Sequence, residues 1–591
     1  MKKIKRKFLI LSSLATIVVV IACSKKFLDK PPLGTLPPPL MQNEKGVQGL
    51  LIGAYSLVDG EGTPGDGFAS GASNWILGGV TGDDAYKGSD PSDVGEAAPM
   101  EKWISLTATN SAIPQKWKVL YAGANRCNDV LKTMAVATDI TADKELLIEA
   151  QARFLRGFYH FELKKVFKNI PYADENLTLD NTDNTVDAWP KIEADLQFAV
   201  TNLPDSWSAG EPGRANVWAA KAMLAKVYMY EGKLDLAYPI LTDVIANGKT
   251  AKGDKYALNP HFYSNFNPAQ KNSPESVFAA QTSVQDNSSV DWGGDPNGNY
   301  GDILNFPYTG GPGACCGFYN PSQSLANSYK VDGTTGLPLA DPYSGPAVSA
   351  EAGAAYTGTV DPRIDWTMGR PGIPYLDWGI HPGLKWIRNP QNDGNKSPLK
   401  NVYAESQKDA YTDVGSAYWG PTELVANNVN IIRFSDVILW AAECEVEANN
   451  LAGALAHVNM IRSRMADHPE AWVKTGTYDA SGAFYTSGAN ADNYKIGLYT
   501  SFASQDAARQ AVRTERQLEL AMEGQRFFDL VRWGIAEQTV NAFIEREKAA
   551  RPLKSDAHFT ANKNEYMPIP QSEIDNLNAD GTVRLKQNQG Y

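Results

Sequence analysis

The chain has 591 residues, 43 % of them hydrophobic and 21 % charged, enough apolar length for a large buried core and a composition that excludes disorder as the default state. Asp and Glu total 67 against 55 Lys and Arg, for a formal charge of −12, and no dense basic run follows the first seven residues, so nucleic acid is a poor partner. An uncharged ligand suits this balance better.

Lys2, Lys3, Lys5, Arg6 and Lys7 precede an apolar stretch from Phe8 to Ile21, the basic and hydrophobic parts of an export signal. As a helix that stretch rises only about 21 Å, short of a hydrocarbon core of roughly 30 Å, so it is not read as a membrane span. It ends Val20-Ile21-Ala22-Cys23, which resembles a bacterial lipobox: residues 1–22 are expected to be removed and Cys23 to be acylated. The Pro-rich segment 23–45 reads as an extended tether ahead of a single body over 46–591.

From Pro114 to about Lys249 the pattern is helical. Leu147, Ala150, Phe154, Phe158 and Phe161 form one stripe at spacings of three and four, and the segment from Trp117 to Met134 is its expected partner. Arg214 to Glu231 carries Val217, Ala220, Leu224 and Tyr228, stops at Gly232, and leads at once into KLDLAYPILTDVIANG, so these two helices are expected to pack antiparallel. A like pair runs from Phe434 to Ala448 and Leu451 to Met465, and both resemble tetratricopeptide helix pairs without a regular 34-residue period. The helical scaffold thus covers about 113–250 and 429–550. Between them, about 256–428, Gly, Pro, Asn, Asp and aromatic residues dominate, which predicts turns, short strands and a binding surface.

Catalytic and metal motifs are sparse. The six His residues form no HExxH, and neither G-x-S-x-G nor a P-loop occurs. Asp295, Asn297, Asn299 and Asp302 alternate like the start of a calcium loop, but no Glu closes it, and an Asn/Asp-rich turn is the better reading; no metal or cofactor is expected. Glu515, Glu519, Glu523, Arg526, Asp529 and Arg532 recur at helical spacing, and an Arg in reach of each acid marks a structural lattice rather than a glycosidase pair. Cys127 and Cys444 fall in helical patterns and are expected in the core, while Cys315-Cys316 in GGPGACCGF leaves a vicinal disulfide and two free thiols both open.

Rings in loops are plentiful: Trp75, Tyr86 and Trp103 early, then Trp292, Tyr300, Tyr308, Phe318, Tyr319, Trp366, Tyr375, Trp378 and Trp386. An aromatic face packs on the C–H face of a sugar while Asn, Asp or Arg bond its hydroxyls, so two or three of these rings are expected to touch a carbohydrate.

ERQLELAMEGQRFFDLVRWG (Glu515 to Gly534), YMPIPQSEID (Tyr566 to Asp575), the ending LKQNQGY, ARFLRGFYHFELKKVFKNIPY (Ala152 to Tyr172), GRANVWAAKAMLAKVYMYEGKLDLA and the lipobox followed by FLDKPP together resemble the SusD/RagB family of Bacteroidetes outer-membrane lipoproteins. The resemblance implies a mainly α fold, a superhelical scaffold of four tetratricopeptide-like pairs with a loop-rich ligand-binding half, residues 551–591 forming a C-terminal family segment. It implies a non-enzymatic, lipid-anchored surface protein that binds glycan and lids a SusC-like TonB-dependent barrel for uptake; a RagB-like peptide-binding lid is the alternative. Carried over by region, the ligand contacts are Trp75, Tyr86, Trp103, Trp292, Tyr300, Tyr308, Phe318 and Tyr319, and neutral glycans come first on charge. Lys25 and Lys26 depart from the acidic residues that often follow the lipidated Cys in surface-displayed members, which leaves the displayed face open.

Overall fold

The structure, a computed structural model, describes residues 38–60, 68–178, 182–208, 211–288, 297–313, 315–413 and 422–591. The signal segment, Cys23 and most of the tether lie outside them. The helical body starts inside the segment expected to be tether: Pro38–Met41 is one helical turn, and α1 (Glu44–Tyr55) begins where the Asn43 side chain accepts from Gly46 N.

Helices then stack in chain order. α2 (Ile113–Met134) packs between α1 and α3 (Ala142–Phe167), followed by α4 (Trp189–Asn202), α5 (Val217–Glu231) and α6 (Leu234–Asn247), each against the one before. Small residues set the approaches: a Cβ on Gly123 would lie 2.4 Å from the Tyr159 ring, and Tyr159 itself reaches Ala54 O of α1 at 2.5 Å. Arg156 of α3 grips Asp195 of α4 at 2.7 and 2.8 Å. Gly232, at φ 72°, ends α5 in the left-handed conformation and allows the antiparallel return into α6.

The array does not stop where the chain leaves it. After α6 the loop-rich segment intervenes, yet α6 packs directly on α7 (Phe434–Glu447), which packs on α8 (Leu451–Ala466) and α9 (Gln505–Leu520). A two-stranded antiparallel ribbon closes the base of the insertion: β1 (Ser276–Ala280) pairs with β2 (Val429–Arg433), Ser276 opposite Arg433 and Ala280 opposite Val429. Phe278 of β1 meets Phe154 and Phe158 of α3 edge-on, with centroids 4.9 and 5.8 Å apart, and so fixes the ribbon to the helices. Cys127 and Cys444 are buried free thiols, as the helical pattern predicts. No helix among the described residues is long and apolar enough to cross a membrane.

Buried charge ties these parts together. Glu515 of α9 accepts from Arg363 at 2.6 Å and Arg462 at 2.9 Å. Glu519 accepts from Arg363 and Arg433, both at 3.1 Å, and from Arg464. Glu523 accepts from Lys400 at 2.7 Å and from Arg433 at 2.8 and 2.9 Å, and Arg433 also holds Glu275 at 2.6 Å. Arg363 and Lys400 come from the insertion, Arg433 from the ribbon, and Arg462 and Arg464 from α8. The lattice is structural, as its spacing suggests, but two details differ from the sequence reading. Its arginines come from elsewhere in the chain, while Arg526 pairs with Asp83 at 2.7 Å and Arg532 with Asp529 and Glu443 at 2.8 and 2.5 Å. The helix also breaks after Leu520, and Glu523 sits in a turn where Met522 and Gly524 take positive φ before α10 (Arg526–Arg532) starts. That turn abuts the π-helical turn Trp75–Val80, and a Cβ on Gly524 would fall 1.8 Å from Ser73 O.

Burial opposes charge on Glu519, yet Arg464, Arg433 and Arg363 outweigh it and hold the carboxyl well below the ordinary range; Arg433 and Lys400 do the same for Glu523. Such carboxylates contribute stability that is complete above the unfolded value of about 4.3 and is lost as pH falls through the lower folded value. The thermal midpoint is therefore expected to drop steeply below about pH 4.3, and Glu519→Gln, which leaves arginines buried without their anion, to cost about 3–5 kcal/mol at neutral pH in urea unfolding. Gly524→Ala, strained in φ and blocked by Ser73 O, is expected to lower the midpoint further than an Ala at the open Gly49.

Candidate functional site

Glu519 and Glu523 are engaged in ion pairs: Glu519 is fully buried, and every oxygen of the two carboxylates faces an Arg or Lys, with only Glu523 and Lys400 bordering a small pocket. The segment with calcium-like spacing also closes on itself. Asp302 accepts from Asn299 at 2.9 Å and from Ser73 and Asn305 at 2.8 Å, and burial pushes its carboxyl up against these donors. These bonds are those of an Asn/Asp-rich turn over 297–305; Asp295 lies outside the described residues.

The structure separates the predicted ligand rings into two groups. Trp75 is 1 % exposed, and its Nε1 donates to Gly301 O at 2.9 Å. Trp103 donates to Thr81 O at 3.0 Å and lies between Phe527 and Phe559; Tyr86 donates to Glu547 at 2.7 Å beneath Arg551. Phe318 and Tyr319 pack on Trp75, and Tyr300 stacks on Phe68. A ring exposed by 4 % or less has no free face to offer a sugar, even where, as at Tyr319, its hydroxyl finds no partner. In this conformation Trp75, Tyr86, Trp103, Tyr300, Phe318 and Tyr319 are therefore core residues, a correction to the regional transfer. Trp366 and Tyr375 belong to the core of the loop half in the same way, Trp366 stacking on Tyr263 at 5.3 Å. Trp292 lies outside the described residues.

Tyr308 is the ring left open, at 36 % exposure. Its backbone N donates to Trp386 O at 2.8 Å, which seats the Gly-rich loop on the segment 383–388. Gly310 and Gly311 lie directly on the Trp386 indole, where a Cβ would come within 3.2 and 3.1 Å of it, and Gly310, at φ 76°, also takes a conformation that favours glycine. The guanidinium of Arg388 sits 5.2 Å from the Tyr308 centroid and is fixed by Asp93 Oδ2 at 2.6 Å and Ser89 Oγ at 2.9 Å. Lys87 anchors the 84–94 segment by donating to the carbonyls of Asp90 and Asp93 at 3.0 and 2.5 Å. Cys315 and Cys316 are joined as a vicinal disulfide in the same loop, and Ile380 and Leu384 are more than half exposed on the neighbouring segment.

The result is an exposed aromatic ring with a fixed cation and a half-exposed carboxylate beside it, held from beneath by the buried Ser89 hydroxyl, and it offers stacking and directed hydrogen bonds. Of the predicted ring contacts, only Tyr308 among the described residues belongs to it. Arg388, Asp93, Ser89, Ile380 and Leu384 escaped the sequence reading, because a lone Arg two residues after a Trp carries no periodic or motif signal.

Comparison with known proteins places this architecture. A family profile described as "SusD family" matches residues 274–591, and one described as "Starch-binding associating with outer membrane" matches 86–229. SusD-like protein P2 of Formosa agariphila is 24 % identical over 97 % of this chain and 97 % of its own. Surface glycan-binding protein A from Bacteroides fluxus superposes with a TM-score of 0.65 at 22 % identity, covering 93 % of this chain and all of that one. Surface glycan-binding protein A from Bacteroides thetaiotaomicron in complex with laminarihexaose gives 0.59 at 20 % identity, covering 92 % of this chain and 99 % of that one. These likenesses establish the fold, and with the profile match spanning the ribbon, the buried lattice and the C-terminal segment, the chain belongs to the SusD family.

Proposed function

We propose that this chain is a non-enzymatic glycan-binding lipoprotein, held at the outer membrane through Cys23, that captures a neutral oligosaccharide on the Tyr308–Arg388 face and delivers it to a SusC-like TonB-dependent barrel for uptake. The observation that carries this reading is the exposed Tyr308 ring with Arg388 locked beside it by Asp93 and Ser89. A sugar ring stacks on the tyrosine while its hydroxyls bond the guanidinium and carboxylate edges. The structural relative that holds laminarihexaose supports a β-glucan as the first ligand to try, and the outer-membrane wording of the second profile supports the location. The buried pairing of Glu519 and Glu523 supports binding without hydrolysis.

Affinity electrophoresis of the non-acylated chain through gels containing laminarin and other polysaccharides, neutral and charged, tests the reading. Retardation by a neutral glycan is expected, and free migration in every neutral gel would refute it. Replacing both Tyr308 and Arg388 by Ala is expected to weaken binding by roughly 2 kcal/mol, about 30-fold, with the melting curve unchanged. Trp75→Ala is expected to act differently, costing about 3–5 kcal/mol of stability, so that any binding it loses follows the unfolded fraction. Trp75→Phe is expected to retain binding, which checks that this ring is not a ligand contact.

A further inference from the structure

A groove of about 540 Å³ runs between α9, α11 (Ala536–Glu547) and the loop at 338–343. Its charged lining is Arg513, Arg526 and Arg546, without a carboxylate among the described residues, in a chain whose formal charge is −12. Arg526 is neutralised by Asp83 at 2.7 Å. Arg513 and Arg546 make no ion pair among the described residues.

Both free arginines are nevertheless held in place. The Arg546 guanidinium lies 3.9 Å from the centroid of Tyr343, with its Nε 3.3 Å from Ser324 Oγ, and Arg513 lies 5.0 Å from the centroid of Trp533. Stacking on a ring fixes the guanidinium plane while its terminal N–H donors stay free to grip an anion two at a time. The acids that face Arg513 from α7 are already engaged, Glu443 by Arg532 at 2.5 Å and Glu447 by Arg509 at 2.7 Å. On the element of Arg546, Glu545 pairs with Lys548 and Glu547 turns inward to Tyr86 and Ser324. Among the described residues no carboxylate comes within ion-pair distance of either cation, although Glu443 and Glu447 act on Arg513 from further off.

Polar residues elsewhere in a partly apolar lining bear on the kind of anion. Gln510, Thr514, Gln538 and Thr539 present amides and hydroxyls that donate and accept, as sugar hydroxyls do. Two walls of the groove are helices whose backbone groups are used within them, and the third is the loop at 338–343, which forms no strand. The volume exceeds what a single small ion fills. We propose that this groove is a second ligand site, distinct from the Tyr308 face, for an acidic oligosaccharide whose carboxylate or sulfate groups are clamped by Arg513 and Arg546. It rests on the reading of the protein as a glycan binder and extends the ligands from neutral to charged chains.

Calorimetric titration of the full chain with hexagalacturonate, a sulfated hexasaccharide, laminarihexaose and hexaglutamate tests it. Binding of at least one acidic saccharide is expected, weakening as salt is raised. Replacing both Arg513 and Arg546 by Gln is expected to reduce that affinity at least roughly ten-fold, with laminarihexaose binding and the melting curve unchanged, while the double Lys variant keeps part of it. If laminarihexaose binds and neither acidic saccharide does, the groove proposal fails and the neutral-glycan reading stands. It also fails if the acidic saccharide is lost with Tyr308→Ala and Arg388→Ala rather than with the groove variants. Tighter binding of hexaglutamate, lost in the Gln variant, would make the groove a polypeptide site and overturn the saccharide assignment.

Discussion

Glu519 depends on three arginines that the chain brings from three places: Arg363 in the insertion, Arg433 at the end of the ribbon and Arg464 on α8. A carboxylate in an apolar interior is prohibitively costly alone, and so is each arginine. Glu519 and four further acids, Glu275, Asp361, Glu515 and Glu523, meet five bases, Arg363, Lys400, Arg433, Arg462 and Arg464. The balance closes only when helical array, ribbon and insertion are assembled in one arrangement. A half-docked insertion would leave several charges buried without partners, so the network selects one docking geometry more than it adds net stability.

That selection governs how the loop half is built. An irregular segment cannot satisfy its backbone through long ladders, and here ring donors serve part of it: Tyr263 donates to Leu399 O and Val402 O, Trp366 to Ala471 O and Tyr485 to Leu376 O, while Tyr263, Trp366, Tyr478 and Tyr485 pack as one aromatic group and Tyr375, His381 and Trp386 as another. The same demand draws the early rings in, since Trp75, Trp103 and Tyr86 cement the 75–103 segment to α10, the insertion and the C-terminal helices. What reaches solvent is a remainder: Tyr308 at the tip of a Gly-rich loop, and the arginine-lined groove at the other set of helices.

The helices were legible because periodicity is local. The stripe from Leu147 to Phe161 falls within α3, Gly232 marks the break between α5 and α6, and the Asn-Asn break separates α7 from α8. The packing of α6 on α7 across the insertion was not legible, since it is a contact between segments far apart in sequence. Nor was the turn at Met522–Gly524, where EG inside a helical pattern reads as a tolerated glycine until the approach of Ser73 is known. For the rings the failure has a physical cause: a tryptophan in a Gly/Pro-rich loop has the same sequence context whether it faces a sugar or its own small core. Trp75 carried one usable sign, the Gly78-Gly79 pair beside it, where a Cβ on Gly78 would meet Gly524 O at 1.9 Å and one on Gly79 the Tyr319 ring.

Net charge misleads in a related way, because it is a sum. The buried lattice is neutral by construction, so it contributes nothing to the −12, and the excess acid is carried elsewhere. Charges on an exposed surface act on a ligand through water and salt, and their influence fades within about 8 Å at physiological ionic strength. An arginine in contact is not screened in that way, least of all one whose plane is fixed by Trp533 or Tyr343. An acidic surface therefore slows the approach of an anionic chain but does not decide its residence. That is decided by which cations lack a carboxylate partner, and among the described residues Arg513 and Arg546 make no ion pair while the arginines of the lattice do.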